Sequence, residues 1–214
     1  MWTLADARDR VTSRVGEASP TFWSVEDRNH AINDAVRFIA AVTHGVPLTV
    51  TGSVDTNAPY LEINGNMVGT YGSAGEIVGG AALTVVPIDE ADRKFPGWRT
   101  VTGRPRWIML DTRNQRAYVT PVPQTPTTVR ITVAVVPNEI EDDSEELFFG
   151  NPSMEKYLGA LVNYAVAMLL LKERFDGEAE RFYGFAVNEL RDVGVNPSRI
   201  PALPAPPGAA DGNG

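Results

Sequence analysis

Residues 89–110 read D-E-A-D-R-K-F-P-G-W-R-T-V-T-G-R-P-R-W-I-M-L. Nothing in this stretch is chemically reactive, so it informs architecture and recognition. Segments with strand period lie on either side of it, and a helix-period segment lies beyond each of those. A chain ordered helices, strands, helices leaves one core, builds a second and returns. Its first and last segments are therefore expected to pack together.

Upstream, Leu48, Val50 and Val54 alternate with Thr49, Thr51 and Ser53, the pattern of a strand with one buried face. Residues 60–63 and 83–88 are further strand candidates. Residues 64–80 are rich in glycine and read as turns and flexible loop. Downstream, residues 106–110 and 117–120 flank 112–115, a predicted hairpin turn. The clearest strand is 128–136. Val129, Ile131, Val133 and Val135 face one way, and Thr128, Arg130, Thr132 and Ala134 face the other. Pro121, Pro123 and Pro126 fall between strands, where a missing N–H does least harm.

The helices bracket these strands. Thr3 caps a first helix with Leu4, Ala7, Val11 and Val15 on one stripe, stopped by Gly16. Phe22 and Trp23 staple the entry to a second, capped by Ser24 with Asp27 as its capping-box partner. Its stripe is Val25, Arg28, Ile32, Val36 and Ile39, and Gly45 and Pro47 end it. Asn151 followed by Pro152 marks a third helix, apolar around most of its circumference through Tyr157, Leu158, Leu161, Val162, Ala165, Met168 and Leu169. The apolar run 157–171 is shorter than the ~20 residues that cross a bilayer, and Asn163 interrupts it. It reads as a buried helix. Asp176 and Gly177 are expected to break it before a fourth helix with Ala179, Phe182, Ala186 and Leu190 on one face. Residues 195–214 hold no helical or strand period and are expected to be disordered alone.

The predicted fold is therefore α+β. A four-helix body of residues 1–45 and 150–194 carries an antiparallel β-sheet or sandwich domain, residues 46–149, inserted between helices 2 and 3. Residues 195–214 form an extended proline-rich tail.

Composition narrows the function. Of 214 residues, 43% are hydrophobic, enough for a sizeable core, and none is cysteine, which excludes disulfides, thiolate zinc sites and cysteine nucleophiles. Net charge is −8, against the basic face of a nucleic-acid binder but compatible with an acidic channel through which DNA slides. Residues 1–14 carry charges of both signs and lack the apolar region of a signal peptide.

Candidate chemistry is sparse. Glu26, His30 and Asp34 share one helix face, which reads as a solvated face before a metal site. No G-x-S-x-G elbow is present. Gly65, Gly69, Gly72 and Gly75 resemble a phosphate loop superficially, but no G-K-[ST] follows. Trp98, Arg99, Arg104, Arg106 and Trp107 mix aromatic rings with cations. The plainer reading is that the tryptophans pack and the arginines meet carboxylates. Glu139, Glu141, Asp142, Asp143, Glu145 and Glu146 form an acidic run without EF-hand order, suited to solvent, a basic partner or a channel wall. No catalytic, cofactor or metal residue is assigned, and no enzyme activity is expected.

Four segments carry a family resemblance. L-A-D-A-R-D-R-V-T-S-R-V-G and T-F-W-S-V-E-D-R-N-H-A-I-N-D-A-V-R-F-I open the chain. F-P-G-W-R-T-V-T-G-R-P-R-W-I-M-L-D lies at its centre, followed by A-Y-V-T-P-V-P. The helix 157–171 continues into R-F-D-G-E-A-E-R-F-Y. In order and spacing these resemble the portal–tail adaptor proteins of tailed bacteriophages, also called head-to-tail connector or head-completion proteins. The resemblance implies a homo-oligomeric ring, about twelvefold, that docks on the portal protein and on a tail or next connector protein. DNA would only pass through its lumen, no membrane would be involved, and no cofactor is implied. It places the protein in the virion neck, assembled in the host cytoplasm. In the tail, Arg199, Ile200 and Leu203 are the expected portal contacts, and Trp98, Arg99 and Arg104 form a candidate partner-facing loop. The competing reading is a ligand- or glycan-binding β module on a helical stalk, using exposed Trp98 and Trp107.

Overall fold

The computed structural model describes residues 2–16 and 22–205. It is mixed α+β, with five α-helices and one seven-stranded sheet among the described residues. The chain divides into two compact units, Met1–Thr43 with Glu139–Gly214, and His44–Asn138.

The helical unit begins with α1 (Leu4–Val15). Thr3 and Asp6 form a reciprocal capping box, and Gly16 closes the helix at φ 76°, in the left-handed region. Leu4, Ala7 and Val11 are fully buried. In α2 (Val25–Thr43), Ser24 and Asp27 cap each other as the sequence predicts. Arg28, Ile32, Val36 and Ile39 are buried, whereas Val25 is exposed. Phe22 is also exposed, so of the two aromatics before the cap only Trp23 packs inward. The return segment then enters this unit. Leu4 N–H donates to the Glu145 carbonyl, Ala5 N–H to that of Asp143, and Leu147 N–H to that of Trp2. These ties, with Leu147 and Phe148 buried, join residues 139–149 to the helices rather than to the β domain assigned from sequence.

A 3₁₀ turn, Pro152–Tyr157, leads into α4 (Leu158–Lys172). The combined run of 21 residues is longer than the apolar segment alone, and by length and composition it could cross a membrane. Its burial against α1, α2 and the following helix α5 (Asp176–Asp192) makes it a core helix. The break before α5 falls earlier than Asp176-Gly177. Arg174 takes φ 61° and ends the run, while Asp176 already belongs to the first turn of α5.

The β unit contains β1 (Val46–Val54), β2 (Tyr60–Glu62), β3 (Asn66–Ile77), β4 (Ala82–Pro87), α3 (Ile88–Lys94), β5 (Trp107–Asp111), β6 (Arg116–Thr120) and β7 (Thr127–Val136). Strand order is β1-β7-β3-β4-β5-β6-β2. The edge strands approach each other where a side chain on Gly52 of β1 would meet Leu61 of β2, so the sheet curls toward closure. Its interior is Val129, Ile131, Val133 and Val135 of β7 with Ile108, Leu110, Val119, Leu61 and Met67.

Two sequence expectations change. Residues 66–77, read as loop, form β3. Gly75 there leaves the space that Ile108 fills, because a Cβ would lie 2.3 Å from Ile108 Cδ1. Bulges between Met67 and Gly69 and between Thr70 and Gly75 hide the two-residue period. The sheet is also not wholly antiparallel. β4 and β5 pair in parallel, joined through α3, which lies inside the segment that had no predicted element. Val86, Ala91, Trp98 and Met109 form a second small core, so β5 is covered on both faces. Its unbroken apolar run W-I-M-L follows from that.

Candidate interaction surfaces

The sequence-predicted loop lies beyond α3. Trp98 is 4% exposed, so its ring belongs to the core and does not face a partner. Asp92 on α3 holds it. Trp98 Nε1 donates to Asp92 Oδ1 at 2.8 Å, and Arg99 Nη1 donates to the same oxygen at 2.7 Å. The Arg99 guanidinium lies 4.3 Å over the Trp98 ring. The hydrogen bond from Arg99, then that from Trp98, lowers the Asp92 carboxyl below its ordinary pKa. Thr120 Oγ1 donates to the Trp98 carbonyl at 2.8 Å and ties the loop to β6. Arg104 is exposed, and Trp107 is half-buried and stacked on Phe95 at 5.5 Å. Phe95, Pro96, Val101, Trp107 and Met109 line an apolar notch of about 240 Å³. The plainer sequence reading describes this loop: Trp98 packs and Arg99 meets a carboxylate.

Residues 195–205, the described part of the tail, are more ordered than their composition predicts. Asn196 Oδ1 accepts from Ser198 N–H and Ser198 Oγ, both at 3.0 Å, and starts a 3₁₀ turn, Pro197–Arg199. Tyr183 on α5 donates its hydroxyl to the Pro201 carbonyl. Pro204 and Ala205 line a groove with Ala31 and Asp34 of α2 and Met168 of α4. Arg199 is exposed, and Ile200 and Leu203 are half-buried. Pro206 and the residues after it lie outside the described residues.

A polar cleft of about 470 Å³ opens between α1, α4 and α5, with Trp2, Arg10, Arg14, Asn163 and Glu189 on its walls. Buried Asn163 accepts from Arg14 Nε at 3.3 Å and donates to Glu189 Oε1 at 3.0 Å. Burial pushes the Glu189 carboxyl above its ordinary pKa, against the pull of Arg14 and Asn163. Glu26 lies 3.6 Å from His30 Nε2, but Asp34 does not join them. His30 Nδ1 lies 3.2 Å from Glu139, and Asp34 pairs with Arg37. Among the described residues no group of three His, Cys, Asp or Glu is arranged to hold a metal.

One structural residue escaped the sequence reading. Asn33, 2% exposed, donates Nδ2–H to the Ile140 carbonyl at 3.0 Å and accepts from Ile140 N–H at 2.8 Å. A single side chain thus satisfies both backbone groups of Ile140 and fixes where the acidic segment meets α2. The available signal is an amide next to the stripe residue Ile32.

The helical unit thus carries an internal latch at Asn33, a proline-rich segment lying against α2 and α4, and a polar cleft. The family model described as SU10 adaptor protein matches residues 2–202. The chain belongs to this family: it is a bacteriophage adaptor-type structural protein and a component of the virion. A search of curated proteins finds no match.

Proposed function

We propose that the protein forms an adaptor ring, about twelvefold, that joins the portal to the tail and extends the DNA channel. The observation that carries this reading is the family match running unbroken through both units and into the tail. The role is mechanical, not catalytic. Arg199, Ile200 and Leu203 make the portal contact. They are held to the helical unit by the Asn196 turn and the Tyr183–Pro201 bond, few enough ties to be exchanged for a partner. A proline-rich arm loses less conformational entropy on docking than a glycine-rich one, because its free form is already extended. An acidic ring wall would let duplex DNA pass without adhering, consistent with the net charge of −8. Electron microscopy of the chain mixed with cognate portal tests the proposal. A ring on the portal exit is expected. A strictly monomeric chain that ignores portal rings refutes it. Deleting residues 195–214 should leave the fold intact and weaken docking, and unchanged portal affinity would remove the tail from the contact. The glycan-binding alternative loses half its motive, since Trp98 is buried.

A further inference from the structure

The cleft between α1, α4 and α5 collects positive charge in an acidic protein. Arg10 lies 4.8 Å over the Trp2 ring, one turn from Asp6. Arg14 reaches Asn163 and lies 5.9 Å over Phe182. Among the described residues neither guanidinium has a carboxylate within salt-bridge distance. Among the described residues Glu189 is the one carboxylate on the walls. Gly159 leaves room for it, because a Cβ there would lie 2.5 Å from Glu189 Oε2.

The opposite side of α1 has the opposite sign. Arg8 stands about 160° round the helix from Arg10 and about 120° from Arg14, at about 100° per residue. It donates to both carboxylate oxygens of Asp143 at 2.7 and 2.8 Å, which seats the acidic segment on that side. Within that segment Asp142 is occupied with Ser144. Glu141, Glu145 and Glu146 are exposed and, among the described residues, meet no cation.

We propose that the cleft of one copy receives the acidic segment of the next, with Arg10 and Arg14 meeting Glu141, Glu145 and Glu146. This rests on the ring reading and supplies its subunit contact. Two different patches on opposite sides of one helix make a head-to-tail contact, the kind that propagates from copy to copy and closes into a ring. Its charges set register and speed encounter.

The test is a charge swap on the full chain, followed by sedimentation velocity with and without cognate portal rings. The wild type should assemble. Arg10→Glu with Arg14→Glu, and separately Glu141→Lys, Glu145→Lys and Glu146→Lys, should each weaken association about 100-fold or more. Mixed in equal amounts, the two variants should restore assemblies of wild-type size, because the copies then alternate. Wild-type association should also fall steeply between about 0.01 and about 1 M salt. If the arginine reversal does not fold, Arg10→Gln with Arg14→Gln removes the cations without placing a like charge beside Glu189, and should weaken association too. Assemblies of wild-type size in either swapped variant overturn the contact and leave the ring reading standing. Variants that fail to restore each other also overturn it. Loss of portal docking in the arginine variant alone would assign the cleft to a portal segment instead of a second copy. A wild-type chain that is monomeric in both conditions overturns this contact and the ring together.

Discussion

The two units of this protein solve the same problem with different means. The β unit hides a uniformly apolar interior, and β7 contributes Val129, Ile131, Val133 and Val135, each with no exposed surface. Its buried polar groups lie at margins. Asp111 closes the β5–β6 turn by accepting from the Arg113 and Asn114 backbones, and Thr120 ties down the Trp98 loop. The helical unit instead buries polar side chains within its helices. Arg28 donates to the Trp23 carbonyl at 2.6 Å, Asn33 clasps Ile140, and Asn163 bridges Arg14 and Glu189. Apolar alternation fixes which side of a strand faces in, but it says little about which strand lies beside which. A buried amide names its partner, because any other arrangement leaves it unpaired.

Substitutions can break that contrast, and the largest effect belongs to the β unit. Val133→Asp places an unpaired carboxylate between Leu48 of β1 and Thr70 of β3. The cost should be about 4 kcal/mol or more. Thermal unfolding should lose its cooperative transition, and a variant that melts with the wild type would reverse the facing of β7. Next comes Asn33→Leu. It keeps volume but strands the N–H and carbonyl of Ile140, at about 2–4 kcal/mol. Hydrogen exchange at the Ile140 amide should accelerate. Unchanged protection there would show that the latch is redundant with the bonds from Leu4 and Leu147.

A smaller effect follows at Asp27, which caps α2 through Ser24 and also pairs with Lys172 of α4. The Lys172 bond first, then the Ser24 bonds, hold its carboxyl at about 2, below the ordinary 3.8. A depressed folded-state pKa stabilises at pH values above the ordinary value and ceases to do so as pH falls toward 2. Asp27→Asn should therefore cost about 1 kcal/mol at pH 7. The gap to the wild type should close between about pH 4 and pH 2. A gap that persists at pH 2 would mean that the ionised carboxylate is not its source.

Legibility in the sequence divided along the same line. Both helix N-caps, the stop at Gly16, the buried stripe of α2 from Arg28 onward and the inward face of β7 rest on local spacing, and these are present, whereas Val25 at the start of that stripe is exposed. The order of strands, the parallel β4–β5 pair and the strand character of residues 66–77 rest on distant partners. Gly75 looks like a loop residue until Ile108 is beside it. The partner-facing and glycan readings need Trp98 exposed, whereas the plainer reading packs it, and local sequence does not decide between them. Asp92, six residues earlier, supplies the bond that lets the indole turn inward. The cleft was not legible at all, since Arg10, Asn163 and Glu189 meet only after three helices have packed.

One tripeptide occurs twice within the helical unit and gives the finest test. Asn151-Pro152-Ser153 opens the helical run into α4, and Asn196-Pro197-Ser198 opens the turn in the tail. In each, the asparagine oxygen accepts from the serine N–H at 3.0 Å and from the serine hydroxyl, at 2.8 Å in the first and 3.0 Å in the second. The asparagine–serine bonds match, so a difference between Asn151→Ala and Asn196→Ala reports what surrounds each turn. Behind Asn151 stands the buried α4, and the loss should be about 1 kcal/mol of global stability. Behind Asn196 stand Ile200 and Leu203, only half-buried, so the melting temperature should hold while limited proteolysis after residue 195 quickens. If Asn196→Ala instead lowers the melting temperature as far as Asn151→Ala, the tail is part of the helical core. An arm anchored that firmly could not leave the subunit to reach a portal.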